Sequence, residues 1–418
     1  MAVLVYEYPP KIVGGLGTYA AEITRKFVLL DNDITVFTMN DDTGSLPTRE
    51  LWRGIEIHRP VHIDISDSLP DVVAEDVKKW GRGSIHLFAK YLMYNYLTAS
   101  KVVNDLVRSE DFKYDVVVAH DWLSVIGGTA IKRELGLPLV FHVHSTEKGR
   151  TLGHGSDVIY NIELRGGQLA DTIVTVSNAM RDELITLGFP AEKIKVIYNG
   201  VDPQKYSLQQ VSKDKISKIR QSYGIKDDDL MILFLGRLVL VKGVDKLIGA
   251  MRHVLHEIPN AKLVVVGLGE MRDYLEKMVQ NLNLQDVVKF CFEFIPEEER
   301  IAHYAACDVA VFPSLYEPFG IVALEAMSMG KPVVVGARGV SGMREIVIPT
   351  GQDQCGFHVN PNDPPDIAWG IISALKDPQV KAQLGKNGRK RVLQEFTWDV
   401  IAKRTAQVYS ELMEGKKT

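Results

Sequence analysis

Short apolar runs rich in Val, Ile and Leu punctuate the chain at 2–6, 115–119, 139–143, 172–176 and 194–198. They are continuously apolar, not alternating, which is the pattern of parallel strands covered on both faces. Helical stretches lie between them at 18–30, around 85–107 and at 178–187. This alternation predicts an α/β sheet. The stretch 202–229 breaks it, being rich in Lys, Asp, Ser and Gln, and the alternation then restarts with strands predicted at 231–235, 262–266, 287–292, 309–312 and 332–335. Val244, Leu247, Ile248, Met251, Val254, Leu255 and Ile258 keep helical spacing until Pro259 stops the run. Two Rossmann-like halves are expected, over 1–203 and 230–398, with a linker at 204–229.

Composition narrows the class. A chain of 418 residues fits two or three domains at roughly 100–200 residues each. Lys and Arg number 49 against 53 Asp and Glu, a net charge of −4, which argues against a nucleic-acid partner. Three cysteines with no Cys-x-x-Cys pair disfavour a disulfide framework and a structural zinc site, and fit a reducing compartment. The start of the chain lacks a basic region and soon meets Glu7, Pro9 and Pro10, so it reads as a strand and not as a signal peptide. No apolar run approaches the ~18 residues of a membrane span. A cytoplasmic protein without an integral membrane segment is expected.

Ligands of open parallel sheets bind outside the carboxyl ends of the strands, so the residues just after each apolar run carry the chemistry. The first run leads into Gly14-Gly15-Leu16-Gly17 and a helix. Glycines there let backbone N–H groups approach an anion, although the spacing matches neither the dinucleotide nor the Walker pattern, and a plain tight turn reads the same way. The next runs end in His120-Asp121-Trp122 and His142-Val143-His144. Such residues hydrogen-bond a polyhydroxylated ligand, ligate a metal, or simply satisfy buried carbonyls. Glu147 and Arg150 follow, at the mouth of a binding site or as a loop salt bridge. The aromatics Trp80, Phe88, Tyr91, Tyr94 and Tyr96 have helical spacing, which favours core packing over sugar stacking.

In the second half, Arg237 and Lys242 share one short loop before a helix. They suit a diphosphate, Arg as a fork and Lys as a point charge, or are solvated surface charges. Glu317 and Glu325 stand eight apart around Phe319-Gly320-Ile321. They offer two acceptors along a ligand, or are a helix-start acid and a surface acid. A third glycine-bearing turn, 336–345, offers another set of backbone donors.

Together these residues resemble the retaining nucleotide-sugar glycosyltransferases of the GT-B fold, the group of glycogen and starch synthases, sucrose synthases and many microbial hexosyltransferases. The Glu317-to-Glu325 block with the Arg237/Lys242 loop upstream is its most specific part. Matching stretches are Gly14-Gly15-Leu16, His120-Asp121-Trp122, Asn199-Gly200-Val201-Asp202 and Gly356-Phe357-His358-Val359-Asn360-Pro361. The resemblance implies two Rossmann-like parallel-sheet domains facing each other across a cleft, with the last helix, 399–418, crossing back to the first. It implies that Arg237 and Lys242 neutralise the donor diphosphate, that Glu325 holds the ribose and that Glu317 contacts the hexose. Backbone N–H groups around Phe319, Gly320 and Ile321 would assist, and Gly14 and Gly15 would approach the diphosphate from the first domain. His144 would contact the donor sugar near the reacting carbon, with His120 and Asp121 close to it.

The reaction so implied is glycogen-synthase-like, the transfer of glucose from UDP-glucose or ADP-glucose to an α-glucan with retention, needing no metal and no cofactor. Transfer of a hexose to a small or lipid-linked acceptor is the alternative among enzymes. A catalytically silent sugar-nucleotide-binding protein would need His144, Glu317 or Arg237 broken, and all three are present. Two departures stand out. Lys11 lies three residues before the Gly-Gly pair, where glycogen synthases typically carry a Lys two before it. The stretch 290–296 lacks the glycine common in related transferases, which leaves the donor base open.

Overall fold

Eight short strands make the first sheet: β1 (Ala2–Leu4), β2 (Ile34–Phe37), β3 (Arg49–Trp52), β4 (Ile55–His58), β5 (Val117–His120), β6 (Leu139–Val143), β7 (Thr172–Thr175) and β8 (Ile194–Val196). The structure, a computed structural model, describes residues 1–12, 14–40, 44–69 and 75–415. It divides into two compact units, Met1–Tyr198 with Trp398–Thr418, and Asn199–Thr397.

In the first unit the strand order is β3-β4-β2-β1-β5-β6-β7-β8. All neighbours are parallel except β3 and β4, joined by a tight turn in which Arg53 and Gly54 both have positive φ. Chain order reverses direction at β1, so the switch point of the sheet lies between β1 and β5. Val3, Val36, Val118, Val140 and Val174 are buried within one cluster, as continuous apolar runs require.

The helix after β1 is Gly15–Val28 and buries Tyr19, Ile23 and Phe27. The expected long helix is Arg82–Ser100, continued by a π-helical stretch Lys101–Ser109. The closing helix Trp398–Glu414 returns to this unit. Its Trp398, Ile401, Ala402 and Tyr409 join the same buried cluster, with the Tyr409 ring 5.7 Å from that of Phe27.

The second sheet holds β9 (Leu230–Leu235), β10 (Ala261–Val266), β11 (Val288–Cys291), β12 (Val309–Phe312), β13 (Val333–Gly336) and β14 (Gly356–Val359). It is parallel throughout in the order β11-β10-β9-β12-β13-β14. This is the 3-2-1-4-5-6 order of dinucleotide-binding folds, with its switch point between β9 and β12.

The polar stretch 204–229, where the sequence suggested a linker, lies inside the second unit. Ser212 caps a helix there, Lys213–Ser222, which packs on the helix Glu297–Ala306. The anchors are few and mostly polar. Tyr206 and Ile225 are buried, while Arg220 donates to the backbone carbonyls of Ala306 (3.0 Å) and Asp229 (2.7 Å). Hydrogen bonds hold a surface layer whose composition looks like a linker. Among the described residues no helix is long and apolar enough to cross a membrane, and the three cysteines are free.

Candidate active site

At the switch point of the first sheet, three imidazoles share one face. His120 ends β5 and pairs in register with His142 of β6, and His144 lies two residues beyond His142, so the pleat points all three the same way. His120 Nδ1 lies 3.0 Å from His144 Nε2, and His142 Nε2 lies 2.6 Å from the Tyr409 hydroxyl. The helix Gly15–Val28 lays Tyr19 over the group, its ring 4.9 Å from His144, 5.7 Å from His120 and 5.8 Å from His142. Burial first, and then the neighbouring imidazoles, hold His120 and His142 well below the ordinary histidine range; burial also lowers His144, with Asp121 pulling the other way. At neutral pH the cluster is therefore uncharged.

Asp121 links the two strand ends. Its N–H donates to the His142 carbonyl (2.8 Å), and its Oδ1 accepts the His144 N–H (2.7 Å). It does so at φ 54°, ψ 177°, a conformation that costs a side-chain-bearing residue about 1–3 kcal/mol and that collects at functional sites.

The glycine turn after β1 behaves differently from a vacant anion cradle. Gly14 precedes the helix and its N–H donates to Glu7 Oε2 at 3.0 Å, while Gly15 is already the first helical residue. The anion at this turn is the chain's own carboxylate. Glu147 and Arg150 form a loop ion network: Arg150 Nη2 lies 3.0 Å from Glu147 Oε2 and 3.4 Å from Oε1 of Glu163. Glu163 is buried and accepts the Glu147 N–H as well. Burial pushes its carboxyl up to about 8, with Arg150 opposing. Of the five aromatics, Trp80, Phe88 and Tyr91 pack with Trp122, and Tyr94 is buried with its hydroxyl on the Phe37 carbonyl (2.8 Å); Tyr96 is exposed.

The second unit carries charge at its switch point. Lys242, in the loop after β9, lies 2.5 Å from Glu317 Oε2 in the loop after β12. The Ser314 hydroxyl reaches the same oxygen at 3.4 Å. Gly243 makes this approach possible: it has φ +66°, and a Cβ there would lie 2.2 Å from the Pro313 carbonyl oxygen. The third glycine turn also closes on Glu317, whose N–H donates to Val340 (3.0 Å) and whose carbonyl accepts from Gly342 (2.8 Å). Arg237 is exposed, and among the described residues no ion-pair partner is found for it.

Phe319 and Gly320 are buried just ahead of the helix that begins at Ile321, Ile321–Ser328. Glu325, on that helix, is only 3% exposed, with Oε1 accepting from Tyr206 (2.9 Å) and Oε2 from Tyr304 (2.8 Å). The sequence reading missed both tyrosines. It also missed Gly267, at φ +146° just after β10, where a Cβ would lie 1.9 Å from the Gly236 carbonyl oxygen. A Gly-Leu-Gly directly after a predicted strand was the available signal.

Family models match nearly the whole chain. The family model for Glycosyltransferase Family 4 matches residues 13–205, and that for Glycosyl transferases group 1 matches 215–391. An uncharacterized glycosyltransferase of Methanocaldococcus jannaschii is 35% identical over 418 residues, covering 99% of this chain and 98% of that protein. The chain belongs to the GT-B glycosyltransferases. A glycogen synthase of Mycobacterium tuberculosis is 27% identical to this glycosyltransferase, over 99% of its chain and 94% of the relative's. Among solved structures, Anabaena HepE in complex with UDP-glucose superposes with a TM-score of 0.72 at 24% identity, covering 98% of this glycosyltransferase and 100% of HepE.

Proposed function

We propose that this glycosyltransferase moves glucose from a nucleoside diphosphate glucose to an α-glucan with retention at the anomeric carbon. The observation that carries the donor half is the Lys242–Glu317 pair between the β9 and β12 loops, with the exposed Arg237 in the same loop as Lys242. A diphosphate brings negative charge that Arg237 and Lys242 meet directly, so the reading calls for no metal ion. Glu317, held in place by Lys242, Ser314 and the 336–342 turn, accepts from hexose hydroxyls. Backbone N–H groups at Phe319, Gly320 and Ile321 face the sugar and phosphate. The ribose falls to Glu325, two of whose roughly four acceptor positions are filled by tyrosines.

In the reaction the C1–oxygen bond to the diphosphate breaks as the acceptor hydroxyl attacks C1 from the same face. A phosphate oxygen of the departing group takes the acceptor's proton. The products are the nucleoside diphosphate and a glucan longer by one unit. Most of the catalysis then lies in stabilising charge on the leaving group. The neutral His144, held by His120 and Asp121, hydrogen-bonds the sugar near C1 without adding a positive charge beside the developing oxocarbenium ion. The α-glucan acceptor is supported by the likeness to the glycogen synthase, which spans nearly all of both chains.

Incubation with UDP-glucose, ADP-glucose or GDP-mannose, with and without glycogen, and measurement of the free nucleoside diphosphate tests donor and acceptor together. Release stimulated by glycogen is expected with a glucose donor. Release that ignores glycogen but responds to a small or lipid-linked acceptor would replace the α-glucan reading with the alternative.

A further inference from the structure

The three histidines at the ends of β5 and β6 form a cluster that the transfer reaction does not fully use. A ring nitrogen of each lies within 4.8 Å of the others. A tetrahedral zinc site, at a zinc–nitrogen distance of roughly 2.0–2.1 Å, sets its ligand nitrogens about 3.3–3.4 Å apart. His120 Nδ1 and His144 Nε2, at 3.0 Å, are already near that separation, and a nitrogen of His142 lies within 4.8 Å of both. Strand pairing fixes the Cα positions of His120 and His142, so these two donors are preorganised on the sheet, and His144 follows directly after the end of β6. His142 has the outer partner that metal-bound histidines usually have, the Tyr409 hydroxyl. Asp121, whose carboxylate accepts the His144 N–H, supplies a nearby negative charge. His144 is the partly exposed member, the side from which an ion would enter.

We propose that His120, His142 and His144 bind one divalent transition-metal ion, and that the bound ion inhibits transfer by engaging His144. Three imidazoles select zinc, copper or nickel over magnesium and calcium, which prefer oxygen ligands. The inhibitory half rests on the assignment of His144 to the donor sugar; the binding half does not.

The test uses the full chain after dialysis against a chelator and then against metal-free buffer. Titration with zinc chloride followed by calorimetry should give one saturable site, and magnesium chloride should give none. The electron paramagnetic resonance spectrum of the protein with one equivalent of copper(II) should show coupling to three nitrogens, a readout that needs no variant. His142→Gln should weaken zinc binding by more than about tenfold, and its own inhibition curve should shift by the same factor, with circular dichroism reporting the fold. Transfer by the unsubstituted protein should fall as zinc saturates and return on chelation. No saturable zinc site, copper coupling to fewer than three nitrogens, or zinc affinity unchanged in His142→Gln each overturns the binding site. Saturation without loss of transfer overturns the inhibition and leaves the site standing. A protein inactive with every donor would leave the calorimetry and the copper spectrum unaffected, so failure of the proposed reaction reads differently.

Discussion

The two switch points of this molecule are built from the same backbone geometry and opposite chemistry. In the first sheet, three uncharged imidazoles sit under the ring of Tyr19. In the second, Lys242 and Glu317 meet, and Arg237, earlier in the same loop as Lys242, is exposed. A parallel sheet delivers residues to one place by strand order; what the place binds is decided by whether burial has removed the charge. On the proposed reading, the neutral end meets a sugar that must not be confronted with positive charge as it ionises. On the same reading, the charged end meets the phosphates that leave.

Four measurements break or sharpen this contrast. Replacing Lys242 with Ala should lower kcat/KM by about 10²–10³ and weaken binding of the free nucleoside diphosphate; unchanged binding would remove the charged site from the donor. His144→Ala should cost about a hundredfold in kcat while nucleoside diphosphate affinity stays the same. Loss of that affinity would merge the two regions into one.

The third concerns pH. His120 and His142 are held below their ordinary value of 6.5, so the unfolded chain binds protons there that the folded chain refuses. Their contribution to stability is complete above about pH 6.5 and is lost as pH falls below it, by up to about 1.4 kcal/mol per pH unit for each residue. Thermal melts from about pH 7 to 5 should show this slope, and it should be shallower in His120→Gln; equal slopes would contradict the neutral cluster. The smallest effect is expected at Tyr206→Phe, which removes one of the two hydroxyls on Glu325 and should cost about 1 kcal/mol in urea unfolding. A loss within error would show that Glu325 needs only Tyr304.

Much of this was legible in the sequence because parallel strands are long apolar runs and their ends are where polar residues cluster. Strands buried on both faces, such as β6 and β12, were read nearly to the residue. β2 and β4 were not read although both are largely buried, nor was β3, since Arg49–Trp52 alternates on an exposed edge, nor β14, which opens on a glycine. Among site residues, Lys242 and Glu317 were visible singly. That they touch across 75 residues follows from β9 lying next to β12, which local patterning does not encode. Glu325 was visible too, but its tyrosine partners come from segments 21 and 119 residues away in the chain. The buried Glu163 gave no sign, because a lone acid in a helix reads as a surface residue until its neighbours are known.

The closing helix has a consequence for how the protein is made. Tyr19 and Phe27 are covered by Trp398 and Tyr409, so the first unit cannot complete its core until the last part of the chain leaves the ribosome. At roughly 5–20 residues per second, synthesis of the intervening Asn199–Thr397 takes about 10–40 s. For that interval the newborn first unit presents an uncovered apolar face, while the second unit, whose sequence is uninterrupted, is free to fold to completion ahead of it.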